Sequence, residues 1–216
     1  MDEPDFVRMG EMFPEMTVRT TQGKMVLPTH FKGRWFLLFS HPADFTPVCT
    51  TEFYSFSKHY HEFQALGCDL IGHSVDFVFG HLKWIEWMEE NLDISVPFPI
   101  IADTYAKVAT RLGFIHPVEG VGAVRSVIIV DPEGRIKLIL YYPQRVGRNV
   151  KEILRMLKAM QIAERHDVAM PANWPENELI GDEVLLEPPK DVEGMTARKG
   201  VKGCYDWWFC HKKIDY

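Results

Sequence analysis

The run Trp35-Phe-Leu-Leu-Phe-Ser40 is a short, unbroken apolar stretch. Such a stretch reads as a strand covered on both faces, which requires a sheet with helices packed against it. Cys68-Asp-Leu-Ile-Gly-His-Ser-Val75 reads as a second strand of the same kind. Val124–Val130 and Ile136–Tyr141 flank Asp131-Pro-Glu-Gly134, a turn signal, and predict an antiparallel hairpin. Between these runs the spacing changes from strand to helix. From Cys49 to Leu66, Phe53, Phe56, Tyr60 and Phe63 recur every three or four residues; Leu82, Ile85 and Met88 do the same between Phe79 and Leu92. A shorter helix is expected over Asp103–Leu112, and Ile153, Leu154, Leu157 and Met160 mark another over Val150–Ala163. Strand–helix–strand–helix followed by hairpin–helix is the order of a thioredoxin-like α/β core.

With 216 residues, 46% of them hydrophobic, the chain can bury one sizeable core and carry an appendage. After His166 the texture changes to turn-rich, then acidic, then basic and aromatic. We therefore divide the chain into a thioredoxin-like domain, residues 1–166, and a C-terminal arm, residues 167–216, which packs on the main domain or on a neighbouring subunit. The formal net charge is -6, and no basic stripe suggests a nucleic-acid surface. No apolar run approaches the roughly 18 residues of a membrane helix. Residues Met1-Asp-Glu-Pro-Asp5 lack a signal-peptide pattern, so a cytoplasmic location is expected.

In a reducing compartment the four cysteines, Cys49, Cys68, Cys204 and Cys210, are not expected to be static staples. Cys68 opens an apolar strand and reads as core. Cys49 closes the segment His41-Pro-Ala-Asp-Phe-Thr-Pro-Val-Cys49, which follows a strand and opens a helix. Pro47 suits a first helical turn, where its missing N–H is not needed. A cysteine in that turn meets unpaired N–H groups and the positive end of the helix dipole, both of which favour thiolate over thiol. Thr46 stands where a Cys-x-x-Cys redox site would have its first sulfur, and its hydroxyl suits hydrogen bonding to a bound substrate and to the sulfur. Pro42 can shield the site and fix the loop. His41 either contacts the Cys49 sulfur, lines the pocket, or caps the loop.

Pro42-x-x-x-Thr46-x-x-Cys49, a strand-to-helix motif with three residue types at fixed spacing, resembles the active-site motif of the peroxiredoxin family. The similarity extends along nearly the whole chain. It is closest to the one-cysteine-type subclass with a long C-terminal arm, including archaeal thioredoxin peroxidases with extra tail cysteines. The resemblance implies that Cys49 is the peroxidatic thiol of a thiol-dependent peroxidase acting on hydrogen peroxide and organic hydroperoxides. It implies that Glu52, one helical turn on, orients arginines, and that Arg125 holds the thiolate and polarises the peroxide. Arg148 would be a second such arginine, or else a solvated charge before a helix. A sulfenic acid at Cys49 would condense with a resolving thiol, and an external thiol, thioredoxin-like or another dithiol, would restore both. By resemblance Cys210 of a partner subunit resolves and Cys204 then exchanges with it; direct resolution by Cys204, or none within the chain, stays open. No metal or organic cofactor is expected: Cys204, Cys210 and His211 offer zinc-type ligands without finger spacing. Trp84, Trp87, Trp207, Trp208 and Phe209 read as packing or interface. The resemblance further implies a homodimer and a homodecamer of five dimers. A redox-regulated chaperone or peroxide sensor assembled as a ring is the alternative, and a protein disulfide oxidoreductase is disfavoured for want of Cys-x-x-Cys.

Overall fold

The computed structural model describes residues 6–115 and 122–215; the N-terminal residues 1–5, on which the signal-peptide reading rests, lie outside them. It divides into two units, Met1–Val150 and Lys151–Tyr216.

The first unit is built on a seven-stranded mixed sheet of order β2-β1-β5-β4-β3-β6-β7. Its strands are β1 (Met16–Thr20), β2 (Gly23–Leu27), β3 (Trp35–Ser40), β4 (Cys68–Ser74), β5 (Ile100–Ala102), β6 (Arg125–Val130) and β7 (Ile136–Tyr142). β3 lies at the centre with all six residues buried, which is why it is apolar on both faces. β4 runs parallel to it in register Leu37↔Leu70 and β6 antiparallel in register Leu38↔Ile128. Two aligned apolar strands follow from those pairings. β6 and β7 form the expected antiparallel hairpin.

The helices follow the strands: α1 (Pro47–Lys58), α2 (Tyr60–Ala65), α3 (Val78–Leu92) and α4 (Lys107–Leu112). Strand–helix order and mixed sheet match the expected thioredoxin-like fold. Three details differ from the sequence reading. The helix predicted from Cys49 to Leu66 is two helices, broken at His59, where ψ is 6°. The apolar spacing runs through the break and conceals it. The helix predicted from Asp103 begins at Lys107, because the Asp103 carboxylate accepts from the Ala109 N–H at 2.8 Å and from His73 Nε2, holding a turn ahead of the helix. β1, β2 and β5 were not expected. The first two alternate exposed and buried residues over only five positions each, and β5 is three residues long behind Pro97 and Pro99.

The second unit contains α5 (Val150–His166), β8 (Val184–Leu185), α6 (Val192–Arg198), β9 (Cys204–Asp206) and β10 (Phe209–Lys212). β8, β10 and β9 make a three-stranded sheet. Ala159 and Ile162 of α5 pack with Trp174 in a small core, and Arg155 Nη1 donates to the Trp174 carbonyl at 2.9 Å. These contacts group α5 with the segment that follows it, and the boundary between the two units lies at the start of α5. Among the described residues no helix is long and apolar enough to cross a membrane.

Candidate active site

β3 ends at Ser40, and the loop His41–Thr46 carries the chain into α1, so Cys49 sits in the first helical turn behind Pro47. The N–H groups of that turn have no intrahelical acceptor. Cys49, Glu52, Phe53 and Phe56 are spaced along one face of α1 and all four are buried. Helical periodicity alone therefore places the Glu52 carboxylate beside the Cys49 sulfur.

β6 lies antiparallel to β3, which brings its first residue, Arg125, to the end where β3 releases the loop. Arg125 Nη1 donates to Cys49 Sγ at 3.3 Å and to Glu52 Oε2 at 2.7 Å, while its Nε donates to the Gln144 carbonyl at 2.7 Å. Arg148 enters from the loop after β7. Its Nη2 donates to Glu52 Oε2 at 2.7 Å, its Nε to Glu52 Oε1 at 2.9 Å, and its backbone N–H to the same oxygen at 2.8 Å. The remaining guanidinium nitrogen donates to the carbonyls of Ser40 (2.8 Å) and Ser126 (2.7 Å), and the rings of Phe39 and Phe56 lie within 5.2 and 5.6 Å of its carbon. Burial pushes the Arg148 guanidinium down from its ordinary range, opposed first by the Glu52 charge. Arg148 is thus a buried member of the site and not a solvated charge ahead of a helix. Two guanidiniums, one carboxylate and one thiol share a buried space, and the charges balance when the thiol is ionised.

Thr46 Oγ1 donates to the Ala43 carbonyl at 2.9 Å. Its proton is committed within the loop, which leaves the oxygen's lone pairs to accept from a peroxide O–H. Pro42 precedes it in the same loop. Phe45 holds φ at +54°, a left-handed backbone uncommon for a residue with a side chain. Asp44 secures the strained loop. Its N–H donates to Asp76 Oδ2 at 3.0 Å, and its carboxylate bridges His41 Nε2 (2.8 Å) and His81 Nδ1 (2.7 Å). Burial raises the Asp44 pKa, but the bonds from the two histidines outweigh it and hold the carboxyl below its ordinary value. The His41 ring is thus turned to Asp44 within its own loop; its Nδ1 is buried without a partner.

Sequence reasoning missed Asp44 and His81, which lie 37 residues apart and are joined by no motif. It also missed Ser40 and Ser126, whose carbonyls hold Arg148 and whose hydroxyls meet at 2.7 Å; polar residues in otherwise apolar strands were the available signal. His41, Asp44 and His81 form the cluster of converging metal-type donors among the described residues. Two of its donor nitrogens already point at the shared carboxylate. Beside the first turn of α1 lies an apolar hollow of about 520 Å³, whose walls include Phe45, Thr46, Tyr54, Trp84 and Trp87.

Cys68 is buried in β4, and burial, then the Asp69 charge, pushes its thiol far above the ordinary range. Cys204 and Cys210 are joined in a disulfide across β9 and β10. Their sulfurs are therefore committed to each other and not available as zinc ligands in this state.

Residues 9–139 match the AhpC/TSA family, and residues 159–200 match the C-terminal domain of 1-Cys peroxiredoxin. A peroxiredoxin of Archaeoglobus fulgidus is 57% identical over 211 residues, covering 95% of this chain and 98% of that protein. One of Thermotoga maritima is 57% identical over 208 residues, covering 95% and 97%. Among solved structures, the yeast mitochondrial 1-Cys peroxiredoxin superimposes with a TM-score of 0.83 at 35% identity over 96% of this chain and all of that one. The Cys-to-Ser mutant of peroxiredoxin 6 of Arenicola marina gives 0.82 at 31% identity over 95% and 97%.

Proposed function

The chain belongs to the peroxiredoxin family and is a thiol peroxidase, and on that premise we propose that Cys49 is its peroxidatic residue. The observation that carries the proposal is the 3.3 Å contact from Arg125 Nη1 to Cys49 Sγ, made by a guanidinium that Glu52 also holds. A guanidinium held at that distance can hold and orient the sulfur for attack on an O–O bond.

The thiolate attacks the near oxygen of hydrogen peroxide or an organic hydroperoxide. The O–O bond breaks, the far oxygen leaves with a proton as water or alcohol, and Cys49 becomes a sulfenic acid. Arg125 stabilises the charge that spreads over sulfur and both oxygens. Thr46 accepts from the peroxide hydroxyl, Pro42 keeps water from the sulfur, and Glu52 and Arg148 fix Arg125. His41 holds the loop through Asp44.

Cys210 of a second copy then condenses with the sulfenic acid, releasing water. Cys49 is buried, so the first turn of α1 must unwind for the two sulfurs to meet. Cys204 next displaces Cys49 from Cys210, leaving the Cys204–Cys210 disulfide and a regenerated Cys49. The disulfide seen between those two cysteines supports this order. An external thiol reductant completes the cycle. We further propose a cytoplasmic dimer assembling as a decamer, with residues 1–166 as the peroxidase domain and 167–216 as the arm.

Peroxide consumption coupled to a dithiol reductant tests the reading. Cys49→Ser abolishes turnover and Cys68→Ser leaves it unchanged. Turnover that persists in Cys49→Ser overturns the assignment.

A further inference from the structure

The arm contains a concavity that takes no part in the attack on the peroxide. It measures about 590 Å³, within the range of small-ligand pockets. Its walls are Glu183, Lys202, Cys204, Tyr205, His211 and Lys212. Gly203 forms its tight corner: its carbonyl accepts from the His211 N–H at 2.7 Å, φ is +87°, and a Cβ there would meet the His211 carbonyl at 2.8 Å. That contact fixes Lys202 and Cys204 against His211 and Lys212.

The two sulfurs of the disulfide differ in access. Cys210 is buried, whereas Cys204 is half-buried and belongs to the pocket wall. Glu183, the one carboxylate in the wall, is paired with His211 Nδ1. Lys202 and Lys212 have no ion pair among the described residues, and Arg198, Lys199 and Lys213 lie close in sequence. A net positive hairpin is therefore set on a chain of net charge -6.

We propose that this pocket is the entry site for the reductant, and that it takes a small thiol bearing carboxylate groups. The inference rests on Cys204–Cys210 being the disulfide that the reductant opens. The incoming thiolate forms a bond to Cys204 Sγ and breaks the Cys204–Cys210 bond. The electron pair leaves on Cys210, which takes a proton from water and lies 3.5 Å from the Asp206 carbonyl as its acceptor. A second thiolate attacks the mixed disulfide, releasing the small disulfide and the Cys204 thiol. Two thiols are oxidised and one protein disulfide is reduced. Lys202 and Lys212 attract the carboxylates and orient the thiolate toward Cys204.

The test uses the full-length protein oxidised with peroxide. Reduction of Cys204–Cys210 is followed by quenched alkylation and mass spectrometry with three probes: mercaptosuccinate, 2-mercaptoethanol and cysteamine. Rates are compared per thiolate. Mercaptosuccinate is expected to react about tenfold faster than cysteamine at low salt, and the preference should vanish in about 0.5 M salt. Lys202→Glu/Lys212→Glu should lose or invert the preference, while Lys213→Glu, whose lysine pairs with Asp182, should retain it. Equal rates for the three probes, an unchanged preference in the double variant, or a disulfide that none of the three probes reduces overturns the proposal. So does a Cys204–Cys210 disulfide that never forms. Cys49 oxidation is read from the same spectra, so failure of the peroxidase assignment is seen separately.

Discussion

Replacing Glu52 by Gln keeps the shape of the side chain and removes its charge. In the folded protein two carboxylate oxygens accept four bonds: Arg125 Nη1, Arg148 Nη2, Arg148 Nε and the Arg148 N–H, all between 2.7 and 2.9 Å. A glutamine has one accepting oxygen and an NH₂ that would face N–H donors. Two charge-assisted bonds are lost, each worth about 1.5–3 kcal/mol. The side chain is 2% exposed, so water does not substitute for them. Breaking a buried ion pair from one side costs about 3–5 kcal/mol, and the two figures agree. For a chain of this length that lowers the melting temperature by about 6–20 °C, at about 2–4 °C per kcal/mol. Urea unfolding of reduced protein, at fixed concentration to hold assembly constant, measures the cost. Cys49 oxidation should slow in the same variant, because Arg125 loses the anchor that aims it. A loss below about 1 kcal/mol, with oxidation at the normal rate, refutes the view that Glu52 organises the site.

Arg125→Lys should lower the rate of Cys49 oxidation about a hundredfold with little change in fold, since a lysine cannot reach sulfur, Glu52 and the Gln144 carbonyl together; stopped-flow tryptophan fluorescence reads the rate. His41 gives an acid dependence. Burial lowers its pKa below 6.5, against the opposing bond to Asp44. The unfolded chain therefore binds the proton first, and stability is lost as pH falls below 6.5, by up to about 1.4 kcal/mol per pH unit; His41→Gln should flatten that slope in urea melts. Cys68, its thiol pushed up by burial, should resist iodoacetamide in native protein and react once urea unfolds it.

Much of this organisation is legible in the residues. β3, β4 and β6 announce themselves because strands covered on both faces must be apolar, the half-buried edge strand β7 because the turn Asp131–Gly134 ties it to β6, and α3 because one of its faces must be. β1 and β2 face water on alternate residues, so their pattern is diluted. His59 breaks α1 from α2 without disturbing the spacing of Phe53, Phe56 and Phe63. At the site, Cys49, Thr46 and Pro42 are local in sequence, and Glu52 follows from helical geometry. Arg125 and Arg148 come from β6 and from the loop after β7, and only the family resemblance pointed to them. The bridge from Asp44 to His81 joins two elements with no shared pattern, and the disulfide of the arm depends on redox state, which a sequence does not record.

The most direct test of the central claim is a non-reducing denaturing gel of reduced protein treated with one equivalent of hydrogen peroxide, run beside Cys49→Ser and Cys210→Ser. A covalent dimer should form in a Cys204→Ser background, where the exchange within the arm is blocked, and be absent when Cys49 or Cys210 is also replaced. A dimer that survives loss of Cys49, or a Cys49 that takes up no oxygen and forms no disulfide, contradicts the account.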